Sequence, residues 1–362
     1  MDKISIIIPI HNESKNIDKL ISKLLKQTYS NIEIVCVPNN CTDNSIEKLE
    51  YWRKKDSRIK IYINKIKGLT LARKRGVFEA TGTYITFIDA DDYYADDKAI
   101  EKMHAQMIKD NVQICEFAHF VKPMGLPLVK KYVSATTNNT ILNREELLAG
   151  PAMGAFIGRG GTFSGYVWNK MYSSDILKDA VKQIPHSVIQ QEDLYFNAYA
   201  FTSKLVQRVS SNTEAFYVYN TGVGVSSSSD TGISILRDYR YSKLDIEKII
   251  EKEKLGDDYL LRLWSETLFC YKAAIQNLIR DNIEKPRVIA LIDEVESYKY
   301  INHAKRYFSM YREKQWCNEL GFMSSDYSVE EYYDWCKTTL PRMSNKQIAK
   351  AKVKRVLCKL LK

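Results

Sequence analysis

The chain runs to 362 residues, 45% of them hydrophobic and 27% charged, which allows a large globular core and, on length alone, two domains. A net charge of +10 points to acidic partners such as nucleic acid, an anionic membrane or phosphorylated substrates. No stretch has the pattern of a signal peptide or approaches the ~20 apolar residues of a spanning helix, and no zinc-finger or RNA-binding motif is present, so a cytoplasmic protein that does not bind nucleic acid is expected.

The first 120 residues alternate short apolar runs with amphipathic stretches. A strand is expected over 4–8, stopped by Pro9. Ser14 is placed to cap a helix whose face carries Ile17, Leu20, Ile21, Leu24 and Leu25. A second strand, 32–37, breaks at Pro38-Asn39-Asn40. Helices over 43–55 and 69–80 enclose a strand at 59–63, and Gly82 leads into the strand 84–88. A helix with Ile100, Met103, Met107 and Ile108 and a strand over 112–121 complete the series. This is the pattern of an α/β fold with a mostly parallel sheet.

From 122 to 190 the periodicity weakens. Gly158-Arg159-Gly160-Gly161 lacks the spacing of a phosphate loop and reads as a flexible connection. A helix over 192–203, strands over 205–209 and 215–219, and a Gly- and Ser-rich loop over 221–232 follow. After about 233 the chain reads as helical. The expected division is a catalytic domain over 1–230, a helical domain over 231–344 and a basic amphipathic tail over 345–362. That tail sets Ile348, Val353, Val356, Leu357, Leu360 and Leu361 among seven basic residues, a pattern suited to an anionic membrane surface. Seven scattered cysteines without a C-x-x-C pair read as free thiols.

The densest chemistry follows the strand at 84–88, where Asp89-Ala90-Asp91-Asp92 crowds carboxylates that raise each other's pKa unless a cation shares them. Mg²⁺ and Mn²⁺ take such oxygens together with substrate phosphates. A strand end followed by a helix N-cap would also explain the aspartates. Ligands of open α/β sheets sit at the carboxyl ends of the strands. Three such ends are polar here: His11-Asn12-Glu13, Asn39-Asn40 and Asp89-Ala90-Asp91.

These segments resemble the inverting family 2 glycosyltransferases of GT-A fold. The matching text is Ser5 to Glu13, Gln27-Thr28-Tyr29, Thr42 to Ser45, Gly68-Leu69 with Ala72-Arg73, and Gly82 to Asp92. Trp168-Asn169-Lys170-Met171-Tyr172 and Glu192-Asp193-Leu194-Tyr195-Phe196 follow in the family's order. The resemblance implies that Pro9, His11, Glu13 and Asn39 contact the nucleotide base, with Arg73 nearby. It implies that Asp89 and Asp91 form the D-x-D motif, Asp91 facing Mn²⁺ or Mg²⁺ and Asp89 nearer the ribose. Asp193 becomes the catalytic base, while Glu192, Trp168 and Lys170 orient or floor the acceptor. Asn39 stands where the family usually has Asp, His11 where it has an aromatic, and Lys74 where it has Asn.

The function implied is metal-assisted, inverting transfer of a sugar from a nucleotide-diphosphate donor, UDP-linked by preference, to a glycan hydroxyl. Bacterial surface polysaccharide on a lipid carrier is the implied setting, with the enzyme peripheral on the inner face of the cell membrane. The alternatives are a nucleotidyltransferase, which should carry a Gly-rich basic loop after the first strand, and a non-catalytic glycosyltransferase-like binding protein.

Overall fold

The computed structural model describes residues 1–122, 131–134, 136–157, 161–185, 192–221, 231–280, 283–297, 304 and 328–338. Its core is a sheet that opens with β1 (Ile4–Ile10), continues through helix α1 (Ile17–Leu25) to β2 (Ile32–Pro38), and passes through α2 (Ser45–Lys55) to β3 (Ile59–Ile61). Helix α3 (Leu69–Glu79) leads to β4 (Tyr84–Phe87), and β5 (Tyr93–Tyr94) follows at once. Then come α4 (Ala99–Asp110), β6 (Ile114–Lys122), β7 (Lys131–Val133), β8 (Thr140–Asn143), α5 (Arg144–Leu148) and α6 (Met153–Ile157). The sheet unit closes with β9 (Lys170–Ser173), α7 (Ser174–Gln183), α8 (Glu192–Thr202), β10 (Arg208–Asn220) and α9 (Thr231–Lys252).

Strand order is β3-β2-β1-β4-β9-β6-β10-β5, with β7 on β6 and β8 on β10. The β3-β2-β1-β4 half is parallel, as the alternation of strand and helix requires. Beyond β4 the sheet is mixed: β9 lies antiparallel between β4 and β6, while β6 and β10 run parallel. All seven residues of β1 and of β2 are buried, which is why they read as continuous apolar runs.

Several boundaries differ from expectation for local reasons. Pro9 does not stop β1, which runs on to Ile10. Helix α1 starts at Ile17 after Asn16, because the Ser14 backbone is bonded to Asp43 Oδ2 instead of opening a helix. The two strands expected over 205–219 are one strand, β10, with register shifts near Asn212 and Ala215. The stretch 122–190, weak in periodicity, holds β7, β8, β9, α5, α6 and α7.

The chain forms two compact units, 1–267 and 268–362, dividing within helix α10 (Asp257–Arg280). In the second unit, α11 (Lys285–Ser297) packs against a helix at Val329–Thr338. There Lys285 Nζ lies 3.1 Å from Asp334 Oδ1, and Gln276 donates to the Cys336 carbonyl at 3.2 Å. Among the described residues the cysteines are free, and no helix is long and apolar enough to cross a membrane. The run at 158–160 and the tail over 345–362 lie outside the described residues.

Candidate active site

The carboxyl ends of β1, β2 and β4 meet on one side of the sheet, because the three strands pair in parallel and in register. At the β1 end, His11 Nδ1 is 2.7 Å from the Asn39 carbonyl, which joins the first two strand ends. Glu13 follows, its N–H donating to Ser45 Oγ and its carboxylate accepting from Asn16. Burial pushes the Glu13 carboxyl up, against the Asn16 bond, with Asp43 and Asp89 adding repulsion. Pro9 is buried within β1.

At the β2 end Asn39 is only 4% exposed. Its Oδ1 accepts from the Gly68 N–H at 3.0 Å and from Asn64 at 3.4 Å, so the amide side chain is oriented by the loop that enters α3.

Beyond β4 no helix begins at the aspartates. The next one, α4, begins after Lys98, so the N-cap reading of the cluster is not what the chain adopts. Asp89 keeps a hydrogen bond from Arg73, while its N–H donates to the Tyr217 hydroxyl at 3.1 Å. That hydroxyl donates in turn to Asp92 Oδ2 at 2.7 Å, and the Asn220 N–H meets Asp92 Oδ1 at 2.7 Å. Asn220 also bonds the Asp91 carbonyl. Asp92 is therefore a buried bolt between β4 and β10, and burial with the nearby Asp89 charge pushes its carboxyl up to about 8. Asp91 is half-buried, and among the described residues no other gives its carboxylate such a bond. Burial, then Asp89 and Glu13, push it up to about 6.

Arg73, in the middle of α3 and 2% exposed, ties this cluster to a second one. Its Nη2 lies 3.0 Å from Asp89 Oδ1, and its Nη1 lies 2.6 Å from Glu192 Oε1 and 2.5 Å from Asp193 Oδ1. Those two carboxylates open helix α8, whose N-terminal dipole favours negative charge. Burial raises the Asp193 carboxyl, while the Arg73 charge and the Val167 backbone N–H pull it down. Burial likewise raises Glu192, with Arg73 opposing. The guanidinium is held charged by its three carboxylates, well above the ordinary arginine range, against the cost of its burial.

Trp168 and Lys170 come from the loop before β9 and from β9 itself. Trp168 is 4% exposed, stacked on Tyr217 at 4.4 Å, Tyr166 at 4.6 Å and Tyr219 at 5.5 Å, with the His119 edge against it. Lys170 is 0% exposed and faces Glu116 across the β6–β9 pairing at 2.7 Å. It also donates to the Ser164 and Tyr166 carbonyls. A lysine so enclosed orients the loop 164–169 and cannot itself floor an open site.

The sequence reading thus named residues that the fold gathers around Asp89, Arg73 and Asp193. It missed Tyr217, Asn220 and Glu116, whose partners lie far away in sequence and leave no local signal. Among the described residues no group of three or more His, Cys, Asp or Glu side chains is arranged to hold a metal. Asp91, a half-buried carboxylate at the β4 end, would suit an ion such as Mg²⁺ or Mn²⁺ that keeps waters and takes substrate phosphates as further ligands.

Residues 5–177 match the model of the family described as Glycosyl transferase family 2. Over these residues, a little under half of its length, the chain is similar to family 2 glycosyltransferases. The chain is 30% identical over 217 residues to the uncharacterized glycosyltransferase EpsJ of Bacillus subtilis, covering 60% of each protein. It is 25% identical over 309 residues to the cholesterol galactosyltransferase of Borreliella burgdorferi, covering 81% of this chain and 83% of that protein. Among solved structures, S. aureus TarS 1–349 in complex with UDP-GlcNAc superposes with a TM-score of 0.56 at 18% identity, over 86% of this chain and 92% of that one. The Pyrobaculum calidifontis mannosyltransferase PcManGT, with GDP-Man and Mn²⁺, gives 0.51 at 12%, over 93% and 86%. At such identities the likeness shows the GT-A fold of this α/β chain, with its central sheet and helical C-terminal region.

Proposed function

We propose that this chain is an inverting glycosyltransferase that moves a sugar from a nucleotide-diphosphate donor to a glycan hydroxyl with the help of a divalent ion. The observation that carries the reading is the Arg73 bridge, which sets the helix-opening carboxylate Asp193 beside the strand-end carboxylate Asp89. The acceptor hydroxyl attacks the anomeric carbon from the face opposite the leaving group. Its proton passes to an Asp193 oxygen, the new carbon–oxygen bond forms, and the bond to the diphosphate breaks with its electron pair on phosphate. Arg73 opposes the burial that raises the Asp193 carboxyl and fixes its direction, while Glu192 shares the same Nη1 and holds the helix end. Mg²⁺ or Mn²⁺ at Asp91 would offset the charge on the leaving diphosphate.

The β1 and β2 ends, with Pro9, His11, Glu13 and Asn39, form the base side. A UDP-sugar is the favoured donor, in keeping with the UDP-GlcNAc and UDP complexes of the structural neighbour TarS. The setting proposed is bacterial surface polysaccharide synthesis at the cytoplasmic face of the membrane. The basic tail would lie on the lipid surface.

The test is a panel of nucleotide sugars with Mn²⁺, read by thermal stabilisation and by donor turnover, with the anomeric configuration of the product determined. One donor should stabilise the protein selectively and give an inverted product. Asp193→Asn should keep donor affinity while cutting transfer by about 10²-fold or more. Asp91→Asn should abolish the metal dependence of stabilisation. Retention of configuration, or full turnover by Asp91→Asn in chelator, would overturn the reading.

A further inference from the structure

The loop 164–169 is tied down more firmly than a connecting loop requires. The Ser164 N–H donates to Glu116 Oε2 at 2.9 Å, and Lys170 donates to the Ser164 carbonyl at 2.8 Å and to the Tyr166 carbonyl. From helix α8, Asn197 Nδ2 donates to the Gly165 carbonyl at 2.8 Å and to the Tyr166 carbonyl at 3.4 Å. Glu116, Lys170 and Asn197 are each at most 1% exposed. Charge-assisted and buried bonds of this kind resist reorientation. What they hold in place is Tyr166, which is 46% exposed on a loop whose neighbours Gly165, Val167, Trp168 and Asn169 are buried.

The ring of Tyr166 lies nearly parallel to Trp168, at 4.6 Å and 22°, with the His119 edge at 5.9 Å. Trp168 continues the stack to Tyr217, whose hydroxyl bonds the Asp89 N–H and Asp92. The next residue along, Val167, supports the Asp193 charge through its backbone. One exposed aromatic is therefore fixed, one residue away, to the group that would take the acceptor's proton. A ring left at the surface but immobilised is arranged to bind, because the ordering cost is met before the ligand arrives.

We infer that Tyr166, backed by Trp168, is the stacking platform for the acceptor sugar, and that its ligand is a neutral hexopyranoside ring laid C–H face down on the tyrosine. The C–H face of a pyranose is weakly electropositive and apolar, which complements the negative face of an aromatic ring. Its hydroxyls stay at the ring edge, and the Val167 backbone beside the platform is bonded to Asp193. This inference rests on the glycosyl-transfer reading and adds the residue that seats the acceptor.

The experiment uses the full chain with methyl glycopyranosides of glucose, galactose, mannose and N-acetylglucosamine as probes. Binding is followed by saturation-transfer NMR, with UDP and Mn²⁺ present to occupy the donor side. Tyr166→Phe should bind as the wild type does, since the ring and not the hydroxyl is used. Tyr166→Ala should weaken binding by about fivefold or more, the scale of one aromatic contact. Thermal stabilisation by UDP and Mn²⁺, alike in all three proteins, serves as the check on folding. Equal glycoside binding by Tyr166→Ala would overturn the platform. So would displacement of the glycoside by UDP, or no glycoside binding by the wild type at the solubility limit of each probe. If UDP with Mn²⁺ fails to stabilise the wild type, the glycosyl-transfer reading fails instead, while ring-dependent glycoside binding would still uphold the platform.

Discussion

A guanidinium 2% exposed, with three carboxylates within 3.0 Å and an Nε that has no partner among the described residues, holds this site at a single point. Lysine at that position offers one ammonium and cannot reach Asp89 and the α8 pair together. Arg73→Lys should therefore fold, bind donor weakly and lose about 10²-fold in turnover, the scale of a misplaced catalytic group. Arg73→Ala leaves buried carboxylates without a counter-charge and should cost about 3–5 kcal/mol in denaturant unfolding. Near-normal kcat for Arg73→Lys would show that Asp193 needs no such anchor. His119 supplies a separate check. Burial, with the Lys170 charge adding to it, holds its imidazole at about 4, below the usual 6.5. The unfolded chain then takes up a proton that the folded one refuses. Stability from this group is complete above about pH 6.5 and is lost as pH falls toward 4, by up to roughly 3 kcal/mol. His119→Phe should flatten that part of the stability–pH curve relative to wild type, and an unchanged slope would place the titration elsewhere.

At the scale of elements, the parallel strands were readable because burial on both faces turns them into continuous apolar runs. Helix α1 was readable for the complementary reason, a single apolar face. Helix α3 shows where such reading stops. Its buried residues include Thr70, Arg73 and Lys74, polar side chains that periodicity alone would send to solvent. The helix packs against β1, β2 and α7, so little of it faces water, and Arg73 Nη1 and Lys74 Nζ are met by Glu192 and by the Ile184 carbonyl. Its closeness to the sheet depends on Gly76, where an added Cβ would stand 2.4 Å from Ile7 Cγ2. Ile7 is a stiff β-branched residue, 0% exposed, with nowhere to turn. Gly76→Ala should destabilise the protein by about 1–3 kcal/mol in chemical denaturation and shift Arg73 with it. Arg75→Ala, on the exposed side of the same helix, is the control. Equal midpoints for the two variants would mean that α3 is free to move away from β1.

For the whole molecule, charge is the property that carries furthest. The net charge is +10, and residues 345–362 contain seven basic and no acidic side chains. Each basic residue near an anionic leaflet contributes about 1 kcal/mol, so the segment is sufficient for reversible attachment if it reaches a membrane. Removing residues 345–362 should abolish co-sedimentation with phosphatidylglycerol liposomes at low salt and leave neutral liposomes unbound in both cases. Equal sedimentation of the full and shortened chains would take the tail out of the mechanism. Soluble nucleotide binding, which depends on the sheet unit, should be unaffected by the truncation.

By itself the sequence determined what is local or nearly so: the alternation of strand and helix, and the strand ends that carry polar residues, the Asp89-Ala90-Asp91 run among them. Each of these is written in a stretch of a few residues, where period and turn chemistry act directly. Tertiary structure alone decided which of them meet. Arg73 and Asp193 are 120 residues apart and touch only because α3 and the start of α8 converge beside the β4 end. Asp92 became a structural bolt, and not a third ligand carboxylate, because β10 brings Tyr217 and Asn220 onto it. Lys170 became a buried strut because the antiparallel β6–β9 pairing sets Glu116 opposite it. Such pairings rest on strand register and on the desolvation of distant partners, and neither quantity is carried by the residues on one stretch of chain.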